Sequence, residues 1–116
     1  MAFIDGFVAA VPKDKKAAFI EHAKTIDALF MEFGATRVVE CWGEDVPHGK
    51  VTDFFMAVKA EESETVVFSW IEWPDKPTRD AAMAKMQTDE RMMGTMPFDG
   101  KRMIYGGFEP VFIQER

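Results

Sequence analysis

Cys41 is the only cysteine in this chain, so no internal disulfide can staple the fold. Only two histidines are present, His22 and His48, and they do not cluster with Cys41, which leaves zinc and iron–sulfur sites short of ligands. Neither histidine falls on a cavity-facing strand position, which disfavours haem; no cofactor and no metal are expected. Basic residues are also scarce, 14 Lys and Arg against 20 Asp and Glu, for a formal charge of −6. A nucleic-acid partner needs a basic face to displace counterions from phosphates, so none is expected. No apolar run reaches the ~18 residues of a membrane span. The opening Met1-Ala2-Phe3-Ile4-Asp5 is too short and too acidic for a signal peptide. A cytoplasmic location follows by default.

What the chain does have is core-forming material. Hydrophobic residues make up 47% of it, which excludes disorder. Its 116 residues suit one domain, 1–116. Ala2 to Val11 reads as a strand stopped by Pro12. Phe19, Ala23, Ile26, Leu29, Phe30 and Phe33 then recur at helical steps. Lys15, Lys16, Glu21, Lys24, Asp27 and Glu32 fill the other face, and Gly34 stands at C′. Thr36 to Val46 reads as a second strand, and Val46-Pro47-His48-Gly49 suits a type I turn. Residues 53–60 fit either a short helical turn capped by Asp53 or a short strand. Thr65 to Trp73 is strongly β-prone. Asp75 caps a second helix through Met86, which can restart at Asp89, and Lys101 to Phe112 is the last strand.

The order β-α-β-β-α-β is the ferredoxin-like split motif, an α+β fold. It implies a four-stranded antiparallel sheet in the order 4-1-3-2, with two helices on one face. Along each strand, ionisable or aromatic residues share one parity: Asp5 and Phe7; Glu40 and Trp42; Phe68, Trp70 and Glu72; Tyr105 and Glu109. The opposite parities are mostly aliphatic. The aliphatic face is expected under the helices, and the other face as a lined cavity. Leaving Phe7, Trp42, Phe68, Trp70 and Tyr105 wet forgoes on the order of 20 kcal/mol at ~25 cal/mol per Å². That exceeds the net stability of a typical domain, ~5–15 kcal/mol. A second copy is the economical cover, so a homodimer forming a dimeric α/β barrel is expected.

Carboxylates pointing into such a barrel need a partner, a proton or water. Arg79, Arg91, Lys101 and Arg102 are available as partners. Asp5 and Glu40 are the candidates for proton transfer and Tyr105 for hydrogen-bond donation, giving a catalytic set Asp5, Glu40, Tyr105. Phe7, Trp42, Phe68, Trp70, Glu72 and Arg102 form the candidate ligand-binding set. The competing reading solvates the acids at the barrel mouth. Cys41, on the aliphatic parity, is expected to be a buried inert thiol, and the methionines from Met83 to Met96 soft packing. Gly43 and Gly106-Gly107 mark bulges or close approaches.

Four segments carry a family resemblance: Asp5-Gly6-Phe7-Val8; Gly34 through Glu40-Cys41-Trp42-Gly43 to Pro47; Val67 through Trp70 and Glu72 to Pro74; and Met96 through Tyr105-Gly106-Gly107-Phe108. Together they resemble the YbaA-like domain-of-unknown-function family of small bacterial proteins. The resemblance implies the dimeric α/β-barrel superfamily and brings no established activity, so no catalytic residue carries over. Three functional readings stand. One is binding or transformation of a small apolar or carbonyl molecule by carboxylate acid–base chemistry in the barrel cavity. Another is a non-catalytic small-molecule binding module, and the third a structural dimer with a filled barrel.

Overall fold

A computed structural model describes residues 2–116; Met1 lies outside the described residues. Strand β1 (Phe3–Pro12) leads through one 3-10 turn into helix α1 (Lys16–Glu32), then β2 (Arg37–Trp42). A long loop carries the short helix α2 (Phe54–Ala57) and returns as β3 (Glu64–Trp73). Helix α3 (Lys76–Met86) and two further 3-10 turns lead to β4 (Ile104–Phe108). The sheet is antiparallel in the order β2-β3-β1-β4, the ferredoxin-like arrangement expected. No helix among the described residues is long and apolar enough to cross a membrane.

Local chemistry fixes the element ends. The amide of Ala35 bonds to the Phe30 carbonyl at 3.0 Å and that of Gly34 to Met31 at 3.2 Å, a Schellman closure of α1. Gly34 sits at φ 119°, where a side chain is strained. Asp75 caps α3 by accepting from the Thr78 amide at 2.7 Å. Residues 53–60 resolve as helix because the Asp53 carboxylate accepts from the Met56 amide at 2.6 Å. The same carboxylate accepts from the Gly49 amide at 2.8 Å. That staple replaces the type I turn expected over Val46–Gly49, which does not form.

Two strands are shorter than the sequence suggests. Strand β2 ends at Trp42, where Gly43 presses against β3 so closely that a Cβ would lie 2.5 Å from the Val66 carbonyl oxygen. Strand β4 spans five residues rather than Lys101 to Phe112. Asp99 caps a 3-10 turn over Gly100–Arg102 at its start, and Pro110 lacks the N–H to extend it.

The largest difference lies in the facing of the strands. Pairing places Asp5 opposite Ile71, Phe7 opposite Ser69 and Tyr105, and Glu40 opposite Ser69. Residues directly opposite share a face, so Asp5, Phe7, Glu40, Trp42 and Tyr105 lie on the helix side. Phe68, Trp70 and Glu72 lie on the other side, with Ile4, Val8, Cys41 and Ile104. The mixed parity set is therefore split between two faces. Alternation along one strand is local, but its phase against the next strand is set by long-range pairing, and one step reverses every side chain. Cys41 is correspondingly half-buried on the second face rather than buried under the helices.

Helices α1 and α3 cover the first face. Phe30 meets the fully buried Trp73 edge-on at 6.4 Å, and Phe19 covers Trp42 at 5.8 Å. The second face is covered at one end only. There Val58, Phe55 and Val46 from the β2–β3 connection bury Ala10 and Val66.

Candidate functional site

The split produces two chambers, one on each side of the sheet. The helix-side chamber is small, about 160 Å³, with apolar walls and three polar groups near one another: Asp27, Glu40 and Ser69. Asp27 comes from α1, Glu40 from the edge strand β2 and Ser69 from the centre of β3. Ser69 Oγ donates to Glu40 Oε2 at 3.1 Å. Glu40 keeps part of its surface on the outer side of β2, while its carboxyl turns inward to Ser69 and to the Asp27 carboxyl. Burial raises the Asp27 carboxyl to about 7, helped by the Glu40 charge and a hydrogen bond between the two acids. Glu40 is raised by burial as well. Two neighbouring carboxyls in one apolar wall oppose each other's ionisation, because burial makes two adjacent charges costly. His22 lines the same chamber, edge-on to Phe98 at 5.9 Å, its pKa lowered by burial.

Asp27 is the residue that sequence reading placed wrongly, on the solvated face of α1. A signal was present: it stands four after Ala23 and three before Phe30, on the stripe that faces the sheet.

Asp5 is not free for proton transfer. Its buried carboxylate accepts from Arg79 Nη2 at 2.8 Å, from Arg79 Nε at 3.1 Å and from Trp73 Nε1 at 2.8 Å. Arg79, one of the four basic residues considered as partners, lies across the Phe3 ring at 5.0 Å. Gly107 opposite Asp5 clears the space, since a Cβ there would lie 2.7 Å from Phe3 and 2.8 Å from Arg79. This is a closed ion pair with every strong donor used.

Arg102 reaches neither chamber. It forks onto Glu64 at 2.8 and 2.9 Å, bonds Asp99 at 3.1 Å and caps the Lys59 carbonyl at 2.9 Å. That pairing holds the Glu64 carboxyl below its ordinary range. Tyr105 is exposed on the edge strand, its ring 6.4 Å from Phe7. Trp42 packs under Phe19, with Lys16 Nζ 5.8 Å from its ring.

The second chamber is an open apolar concavity of about 550 Å³ on the uncovered sheet face. Ile4, Val8, Phe68, Trp70, Ile104 and Phe108 wall it. Its floor is flattened by Gly6 and Gly106, over which the Phe108 ring lies. Glu72 on the same face accepts from Trp70 Nε1 at 2.8 Å and stands 3.9 Å from Arg37 Nη1. Among the described residues, no three His, Cys, Asp or Glu side chains gather as a metal-holding group.

The profile of a family described as "Protein of unknown function (DUF1428)" matches residues 2–100. The chain belongs to the DUF1428 family. It is 65% identical over 114 residues to the uncharacterized protein YbaA of Escherichia coli K12, covering 96% of this chain and 97% of that one. The same identity and coverage hold for the YbaA of Shigella flexneri. Among solved structures, a ferredoxin-like protein from an uncultured marine organism, described as dimeric, superposes along the whole length of both chains. Its TM-score is 0.54 at 8% identity, a likeness of fold alone. The ferredoxin-like α+β architecture of this DUF1428 protein thus rests on both its own strand order and that neighbour.

Proposed function

We propose that this DUF1428 protein is a homodimer whose open sheet faces close over a chamber that takes a small, largely apolar ligand. The observation that carries the reading is the concavity of about 550 Å³ on the uncovered face. Its size lies within the ~300–1,000 Å³ of ligand pockets. Trp70, Tyr105 and Glu109 among its lining residues supply the few polar groups that would orient a carbonyl or hydroxyl group.

Surface area supports the dimer. The chain of 13.2 kDa exposes 8093 Å², against about 6,400 Å² for a compact monomer of that mass. Its radius of gyration, 14.9 Å, exceeds the roughly 13.4 Å expected for its length. The excess area is of the order that a standard interface removes, about 800 Å² per partner and more. The fold neighbour described as dimeric points the same way.

A second reading is favoured by the juxtaposed Asp27 and Glu40 carboxyls in the helix-side chamber, both raised by burial. A carboxyl that holds a proton near neutrality can donate to, and recover it from, a carbonyl compound. Asp27 and Glu40 line both the helix-side chamber of about 160 Å³ and a neighbouring concavity of about 390 Å³ beside Lys16 and Trp42, so a small compound has room to reach the pair.

Native mass spectrometry of the protein as purified tests the first reading. A dimer carrying excess mass, with the excess lost on denaturation, is expected. A monomer at micromolar concentration refutes it, and a dimer whose Trp70 fluorescence no apolar probe quenches leaves only the structural role. For the second reading, an infrared carbonyl band from a protonated carboxyl should persist at pH 6 and vanish above pH 8. If no such band exists, there is no proton to transfer.

A further inference from the structure

The segment after β4 has no surface of its own to lie on. Val111 is 92% exposed, Phe112 79% and Ile113 63%. Among the described residues, no backbone turn or loop bond ties residues 110–116 to the rest of the chain. The chain bends at Val111, outside any strand, and carries three consecutive apolar residues clear of its own domain. Burying them needs a surface that the rest of this chain does not supply.

We infer that residues 110–113 form an arm that seats on the second copy, in the seam where the two open faces meet. The inference rests on the proposed dimer and adds to it a specific clasp. Continuity locates the arm, because Phe108, Glu109 and Pro110 already line the open chamber. Pro110 cannot donate to a strand ladder, so the chain departs from its own sheet at that point rather than lengthening β4. A seam between two copies supplies an apolar surface directly beside the point where the arm departs. Seated there, the arm closes one mouth of the chamber, and twofold symmetry places a second arm at the opposite mouth. Exposed area agrees: the arm and the open face are contiguous, and together they hold many of the chain's most exposed large apolar side chains.

Sedimentation equilibrium on three chains tests the clasp: the full sequence, a chain ending at Glu109, and Phe112→Ser. The full chain should be dimeric, and both variants should dissociate at roughly tenfold or higher concentration, the loss of one buried aromatic anchor. A full chain that is monomeric overturns the dimer and the arm together. A dimer whose dissociation is unchanged in both variants overturns the arm and leaves the dimer standing. A photocrosslinker on Ile113→Cys, made in a Cys41→Ser background, distinguishes the arm's host. Crosslinks that double the mass on a denaturing gel are expected, whereas crosslinks only within one chain overturn the inference.

Discussion

The two sides of this sheet are built by opposite rules. On the helix side, polar groups are buried and nearly all are matched: Asp5 with Arg79 and Trp73, Ser69 with Glu40. No side-chain nitrogen or oxygen among the described residues is buried without a partner. On the other side, apolar groups are exposed and unmatched. Phe68, Ile104 and Phe108 face out, beyond the patch that the β2–β3 connection covers. The first side is complete within one chain. The second leaves large apolar side chains in water, and the proposed dimer rests on that contrast.

The contrast is broken most forcefully at Asp5. Asp5→Asn keeps the shape and the Trp73 contact but removes the buried counter-charge of Arg79, leaving it only the half-exposed Asp80 carboxylate at 3.0 Å. Removing one partner of a buried pair costs about 3–5 kcal/mol, a large share of a typical domain's ~5–15 kcal/mol. Urea unfolding at fixed protein concentration measures it. A loss below about 1 kcal/mol would mean that Asp5 is not acting as the anchor of a closed pair.

Much of the fold was legible because its signals are local. Gly34, Asp53 and Asp75 each end or begin a helix through bonds within a few residues, and each does so where its residue type indicates. Strand order followed from element order through the handedness of βαβ units. The phase of β3 against β1 did not follow, because it depends on Gly6 pairing with Trp70, 64 positions along the sequence by their numbers. Hence Phe68, Trp70 and Glu72 were correctly grouped with one another and wrongly grouped with Asp5 and Glu40. Asp27 was missed for a different reason. A charge on an apolar stripe reads as surface until a second carboxyl is seen opposite it, and Glu40 reaches it only through the fold.

That second carboxyl makes Asp27→Asn the next test, and its sign is stabilising. In the unfolded chain Asp27 ionises near its ordinary value of about 4; in the folded chain it ionises near 7. Between those values the folded state holds a proton that the unfolded state has lost. This group therefore costs stability as pH rises from about 4 to about 7, and the cost is constant above. Asp53, Glu64, Asp75, Asp80, Asp89 and Asp99, all held below their ordinary values by hydrogen bonds or cations, act in the opposite direction. Their contribution is present above their unfolded values and lost in acid, so only the difference between variant and parent isolates Asp27. The site is partly open to water, which screens the pair, so Asp27→Asn should gain roughly 1–2 kcal/mol at pH 8. Near pH 4 it should gain nothing. A gain that is flat with pH would show that Asp27 does not ionise near 7 in the folded chain.

The smallest effect is expected where the same chemical change is made on the open side. Glu72→Gln is again carboxylate to amide, and Glu72 again accepts from a tryptophan, Trp70 Nε1 at 2.8 Å. Its cation is Arg37 at 3.9 Å, whose side chain is 65% exposed. Exposed pairs of that kind contribute ~0–1 kcal/mol, and an amide oxygen can keep the indole bond. Unfolding free energy of the isolated chain should therefore fall by no more than about 0.5 kcal/mol, several-fold less than for Asp5→Asn. If the proposed interface forms over Glu72, however, burial withdraws the solvent that made the pair cheap, and the substitution acts on assembly instead. Measuring unfolding at low and at high protein concentration separates the two. A change that grows with concentration places Glu72 inside the dimer, and a small change at every concentration places it at the outer rim.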